Sequence, residues 1–145
     1  MRRVFVLDTN VIVAAFRSGL GASRQILLAA LNQEFQLLLS VPLLLEYEGV
    51  LKRPEHLAAS RIKASEVEIV LNDLVAVAKP VRLAFRWRPK LADPADDMVL
   101  ETAANGGAKA IVTFNLRHFA GVAATFGIRA ISPVAALKDL GGMSS

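Results

Sequence analysis

The chain alternates short apolar runs with amphipathic stretches, and this alternation restricts its fold more than any other feature. Arg3–Leu7, Gln36–Val41, Ala76–Leu83, Ala110–Thr113 and Arg129–Ile131 read as strands. Helical patterning covers Ser23–Asn32, Pro42–Lys52, Ser65–Ala76 and Asp96–Asn105, and a further helix starts after Asn10. Strands separated by helices cross over the sheet, so they run parallel and their connections cover it. The pattern therefore predicts an α/β fold, a single domain with a mainly parallel central sheet flanked by helices on both faces. Local signals agree: Ser65 and Glu68 have capping-box spacing, Pro42 suits a first helical turn, and Gly106-Gly107 suits a helix stop. Residues 1–140 are expected to form the domain and 141–145 a flexible tail.

Composition narrows the chemistry. With 145 residues, 54% of them hydrophobic, the chain can fill one core without a stapling metal or disulfide, so any metal it binds is expected to be functional. There is no cysteine, which excludes a thiol nucleophile, cysteine-ligated zinc and iron–sulfur clusters and points to a reducing, cytosolic compartment. The longest apolar stretches, such as Val11–Phe16 and Leu37–Leu45, fall short of the roughly 18–20 residues of a membrane span. The apolar run after Arg2 and Arg3 is too short for a signal peptide.

Seventeen basic residues against thirteen acidic ones give a net charge of +4, which favours a polyanionic partner. The excess is local. Lys79, Arg82, Arg86, Arg88 and Lys90 follow one another without an acid, and Trp87 sits among them. Arg82, Arg86 and Arg88 could hold phosphates while Trp87 stacks on a base. A solvated edge strand guarded by charges reads equally well.

In a sheet of this kind, sites form beyond the carboxyl ends of the strands. Asp8 follows the first apolar run and precedes Thr9, Asn10 and a helix, so it is either a site carboxylate or the cap of that helix. In Asp93-Pro-Ala-Asp-Asp97, capping and the helix dipole account for Asp93 and Asp96. Asp97 is left at the margin of the Val99, Leu100, Ala103, Ala104 stripe, where it could face the top of the sheet. Glu46 and Glu48 both flank the apolar stripe of Pro42–Lys52, and periodicity does not choose between them. Three acids gathered at one site would repel one another unless a hard divalent cation neutralised them. Oxygen-only ligands suit Mg²⁺ or Mn²⁺, which also act on phosphoryl groups. His56 and His118 lie far apart in sequence, without the helical spacing of a zinc pair.

Four segments in order, Leu7-Asp-Thr-Asn-Val11, Leu44-Leu-Glu-Tyr-Glu-Gly-Val-Leu-Lys-Arg-Pro54, Asp93-Pro-Ala-Asp-Asp-Met-Val-Leu-Glu101 and Gly106-Gly-Ala-Lys-Ala-Ile-Val-Thr-Phe-Asn115, resemble the PIN-domain family. The chain is most similar to toxin components of toxin–antitoxin systems, related to VapC-type ribonucleases. The resemblance implies a cytoplasmic, metal-dependent endoribonuclease that prefers single-stranded RNA and uses Mg²⁺ or Mn²⁺. It also implies a cognate antitoxin protein and a homodimer or higher homo-oligomer. It selects Asp8, Glu46 and Asp97 as catalytic metal ligands, with Asp96 the second choice. Asn115 joins them as a catalytic residue, and Thr9 and Thr113 orient water or phosphate. Arg17 and Arg24 would lie near the site and contact the RNA backbone. Many members carry an acid where this chain has Asn115, a departure that bears on a second metal and also suits an RNA-binding domain of low activity. A PIN-like nuclease of RNA processing, or one acting on another nucleic acid, is the remaining reading.

Overall fold

The structure is a computed structural model that describes residues 3–83 and 94–141. Among the described residues, β1 (Val4–Leu7), β2 (Gln36–Leu39), β3 (Lys79–Pro80), β4 (Ala110–Val112) and β5 (Arg129–Ile131) form one sheet in the order β3-β2-β1-β4-β5. Every pairing is parallel, with Phe5 opposite both Leu37 and Ala110, and Val112 opposite Leu7 and Ile131. A parallel sheet covered by helices buries its strands on both faces, so they read as continuous apolar runs. Phe5, Val6, Leu7, Ala110, Ile111 and Val112 are accordingly inaccessible to solvent.

Among the described residues seven helices connect the strands, α1 (Thr9–Arg17), α2 (Ala22–Leu31), α3 (Val41–Leu51), α4 (Pro54–Ser60), α5 (Ala64–Val77), α6 (Pro94–Gly106) and α7 (Leu116–Ala124), and α8 (Pro133–Asp139) follows β5. From β1 the chain steps outward to β2 and β3, then returns across the sheet to β4 and β5 on the other side of β1. Right-handed crossovers then put the connections of the two halves on opposite faces. In keeping with this, α6 packs on β1, β2 and β4, whereas α2 packs with α1, α5 and α8. The reversal of strand order falls between β1 and β4, the place where an open α/β sheet leaves a crevice at its carboxyl edge.

Side-chain hydrogen bonds hold the helices to that edge. Ser40 caps α3 by accepting from the Leu43 N–H at 3.3 Å. Its hydroxyl also lies 2.7 Å from Thr102 Oγ1, and since Thr102 donates to the Met98 carbonyl, Ser40 is the donor between them. α3 and α6 are thereby tied together across the top of β2. α6 ends as expected at Gly106 and Gly107, the latter with φ +72°. A Cβ on Gly106 would come within 2.6 Å of Leu38 Cδ1 and 2.8 Å of Val81 Cγ2, so the missing side chain is what lets the helix end lie against β2.

Several expectations are corrected. The strand expected over Ala76–Leu83 is two residues long, because Ala76 and Val77 continue α5, whose Val67, Leu71 and Leu74 supply the buried stripe. Pro80 offers no N–H to a ladder, which confines this strand to a sheet edge. The strand over Gln36–Val41 stops at Leu39, where Ser40 turns the chain into α3. The capping pair in α5 is not Ser65 and Glu68: the helix begins earlier, and the Lys63 N–H donates to Glu66 Oε1 at 3.0 Å. Glu68 instead lies 3.3 Å from Lys52 Nζ. The periodicity does not single out α4, α7 and α8, which have 7, 9 and 7 residues and bury two side chains or none. No single helix among the described residues is long and apolar enough to cross a membrane. The expected tail begins at Gly141, whose N–H still donates to the Lys138 carbonyl, and 142–145 lie outside the described residues.

Candidate functional site

Asp8 occupies the last position before α1, so its carboxylate is both helix cap and site residue. Its backbone N–H continues the ladder by donating to the Val112 carbonyl at 2.9 Å. Oδ1 accepts from the Thr9 N–H at 2.7 Å, and Oδ2 accepts from the Thr113 hydroxyl at 2.7 Å. Thr113 Oγ1 in turn accepts from the Asn115 N–H at 2.9 Å. The Asp8–Thr113 contact joins the ends of β1 and β4, across the reversal of strand order. These bonds fix both oxygens of a carboxylate that is only 5% exposed.

Asp96 stands beside it. The residue is 6% exposed, and its Oδ2 lies 3.0 Å from Nδ1 of His118, on the first turn of α7. Burial is the main reason that the Asp8 carboxyl is pushed up from 3.8 to about 6, with the Asp96 charge adding to the rise. The hydrogen bond from Thr113 works against burial most strongly, followed by the Thr9 N–H and His118. Behind the pair, the Tyr47 hydroxyl donates a short hydrogen bond to the Leu7 carbonyl, tying α3 to the residue before Asp8. Burial and then the nearby Asp8 charge hold the Tyr47 phenol well above its ordinary value.

Asp8 and Asp96 open into a cavity of about 870 Å³ that Glu46 and Asn115 also line. Glu48, by contrast, turns to Lys52 at 3.0 Å, so the structure separates the two glutamates that periodicity left equivalent. The orientation expected for α6 is corrected. Asp96 lines the cavity, and the half-buried Asp97 is not among the lining residues. The physical reason is regular: Asp96 precedes Val99, Leu100 and Ala103 by three, four and seven positions, so it continues their buried stripe toward the top of the sheet. Its position near the helix start suffices to explain an acid there, and that sufficiency concealed its second position.

The cavity is not wholly acidic. Arg17 from the end of α1, with Arg53 and His56 from the start of α4, also contribute to its lining. Sequence reasoning missed Arg53 and considered His56 and His118 only as a zinc pair; the available signal for His118 was its place one turn into the helix after β4, at the same edge of the sheet as Asp8. Arg24 is not in this lining, and its Nε donates to the Ala15 carbonyl at 2.5 Å, fastening α2 to α1. Arg82 is exposed beyond β3 and also absent from the lining, while Arg86, Trp87 and Arg88 lie outside the described residues, as does Asp93.

The donor set suits a hard cation. Besides the two carboxylates, Thr9 Oγ1 and Asn10 Oδ1 in the cavity lining are buried without a hydrogen-bond partner among the described residues. All these donors are oxygens. Among the described residues, no three acidic or imidazole groups already stand close enough to hold an ion, so Glu46 would have to close on the Asp8–Asp96 pair or act through water. None of the curated proteins matches the chain in sequence. The family model of the PIN domain matches residues 4–117, a span that runs from β1 into α7 and contains Asp8, Glu46, Asp96 and Asn115. By that match the chain belongs to the PIN-domain family, whose members are generally nucleases that use divalent metal ions.

Proposed function

We propose that this PIN domain is a metal-dependent endoribonuclease and the toxin of a type II toxin–antitoxin pair in the cytoplasm. The observation that carries the nuclease reading is the buried pair Asp8–Asp96, two acids held together against their own repulsion in a cavity that also has arginines in its lining. Mg²⁺ or Mn²⁺ would be held by Asp8 and Asp96, with Glu46 as third ligand and Asp97 no longer preferred. When bound, such an ion neutralises phosphate charge and lowers the pKa of water so that hydroxide is available near neutral pH.

The protein's own groups supply position. The Thr9 N–H and the Thr113 hydroxyl fix the rotamer of Asp8. Asn115, whose N–H anchors Thr113, lines the cavity, where its amide could orient water or a phosphoryl oxygen. Arg17 and Arg53 supply positive charge for the phosphates flanking the bond to be cut. The toxin role and its antitoxin rest on the resemblance of the four sequence segments.

Incubation of the purified chain with RNA, with and without Mg²⁺, Mn²⁺ and EDTA, tests the chemistry. Cleavage should need the metal and disappear in Asp8→Asn and Asp96→Asn. Metal-independent cleavage would overturn the mechanism, and RNA binding without cleavage would leave an RNA-binding domain. Expression should arrest growth, with relief by co-expression of the product of an adjacent small gene.

A further inference from the structure

One large apolar side chain in the cavity is not used by the acid chemistry. Phe114 is 53% exposed, yet it lines the same cavity as Asp8 and Asp96. It lies between Thr113, which is fully buried and holds Asp8, and Asn115 at the cavity surface. An aromatic ring left half in water forgoes much of its burial energy, and its face can recover that energy by stacking on a flat partner. The arginines supply the second half of the argument. Arg17 and Arg53 line this cavity, are exposed, and form no ion pair with a described acid.

A ring face and two cations without a described acid partner, all in one cavity, match the two parts of a nucleotide, a base and its phosphates. We infer that Phe114 is the stacking platform for one unpaired base next to the bond that is cut, with Arg17 and Arg53 holding the adjoining phosphates. The inference rests on the nuclease reading. A paired base has both faces covered by its neighbours in the stack, so this subsite favours a nucleotide outside a duplex. Every base has a π-face, so the platform tolerates sequence and selects strandedness. His56 Nδ1, buried in the same lining without a partner among the described residues, is a further polar atom available to the nucleotide.

The test measures binding in EDTA, where no cleavage occurs, using a fluorescein-labelled single-stranded RNA dodecamer and an abasic strand of the same length. Phe114→Leu keeps an apolar group of similar size and removes the ring. It should weaken binding of the RNA by roughly 5- to 100-fold, leave the abasic strand unaffected, and keep the unfolding midpoint of the parent chain. Phe114→Trp should bind the RNA at least as well as the parent. Arg17→Gln and Arg53→Gln should each weaken both strands and reduce the salt slope by about 0.7. Parent-like RNA affinity in Phe114→Leu, or equal losses on both strands, would overturn the stacking role while leaving the nuclease reading intact. If the parent chain binds neither strand, the stacking subsite falls, while the nuclease reading stands or falls by the metal-dependent cleavage assay.

Discussion

Among the described residues, carboxylates come together at the surface beside Lys52 and in the cavity at the top of β1, and they do so on opposite terms. Between α3 and α5, Glu48 and Glu68 approach Lys52 at 3.0 and 3.3 Å, and their side chains are 38% and 54% exposed. Water solvates all three groups, and the lysine compensates the acids, so the cluster adds little to stability and costs little. At the top of β1, Asp8 and Asp96 are almost wholly buried, His118 stands beside Asp96 at 3.0 Å, and Asp8 holds its proton up to a pH of about 6. The first arrangement is what a soluble surface produces by default. In the second, ionising Asp8 works against folding, and so unfavourable a charge at the mouth of a cavity marks the site.

The largest effect expected from breaking this contrast is on activity. Asp8→Asn and Asp96→Asn should each reduce RNA cleavage by about 100-fold or more, measured as initial rates at saturating Mn²⁺. Next come the two glutamates one helical margin apart. Glu46→Gln should lower cleavage by about 10- to 100-fold, whereas Glu48→Gln, whose partner is Lys52, should leave the rate unchanged. Equal losses in both would show that lining the cavity does not separate a functional glutamate from a surface one.

Stability should move the other way. Because the folded Asp8 binds its proton more tightly than the ordinary carboxyl at 3.8, this group favours folding most below pH 3.8, and that contribution is lost as pH rises through about 6. Asp8→Asn should therefore unfold like the parent near pH 4 and be more stable above pH 6, by at most about 3 kcal/mol, the free energy that corresponds to a carboxyl raised from 3.8 to about 6. Urea unfolding of the metal-free protein at both pH values reads this directly, and a parent curve that gained on the variant with rising pH would contradict it. Tyr47→Phe leaves the Leu7 carbonyl without its hydroxyl partner and should cost about 1–3 kcal/mol. Lys52→Gln should be the smallest change, with an unfolding midpoint and cleavage rate close to the parent's.

The legible part of the fold was the part decided by local pattern. β1 and β4 read directly because strands buried on both faces cannot carry a polar residue, and α6 read directly because a full stripe of Val99, Leu100 and Ala103 runs along it. Ala76–Leu83 misled because Ala76 and Val77 have an apolar run's composition but belong to α5, a matter of packing that the run itself does not contain. Asp8 was legible as a strand-end acid. Asp96 ranked only second, behind Asp97, because its position near a helix start already accounts for an acid there. His118, His56 and Arg53 come to this edge of the sheet on or beside short helices with few buried side chains. For the histidines and Arg53 the missing information was the meeting of segments far apart in the chain; Phe114, one residue beyond the strand read over Ala110–Thr113, carried no pattern of its own.

The short strand β3 carries a consequence for how this protein can assemble. Its register on β2 runs through Pro80 opposite Leu39, and the bond to the Leu39 carbonyl comes from the Val81 N–H at 2.9 Å. An incoming peptide would find a two-residue template there, with no amide hydrogen at Pro80 to receive its carbonyls. Among the described residues, that flank of the sheet offers little for strand addition, and a second copy of the chain approaching β3 would have to bind mainly through side chains.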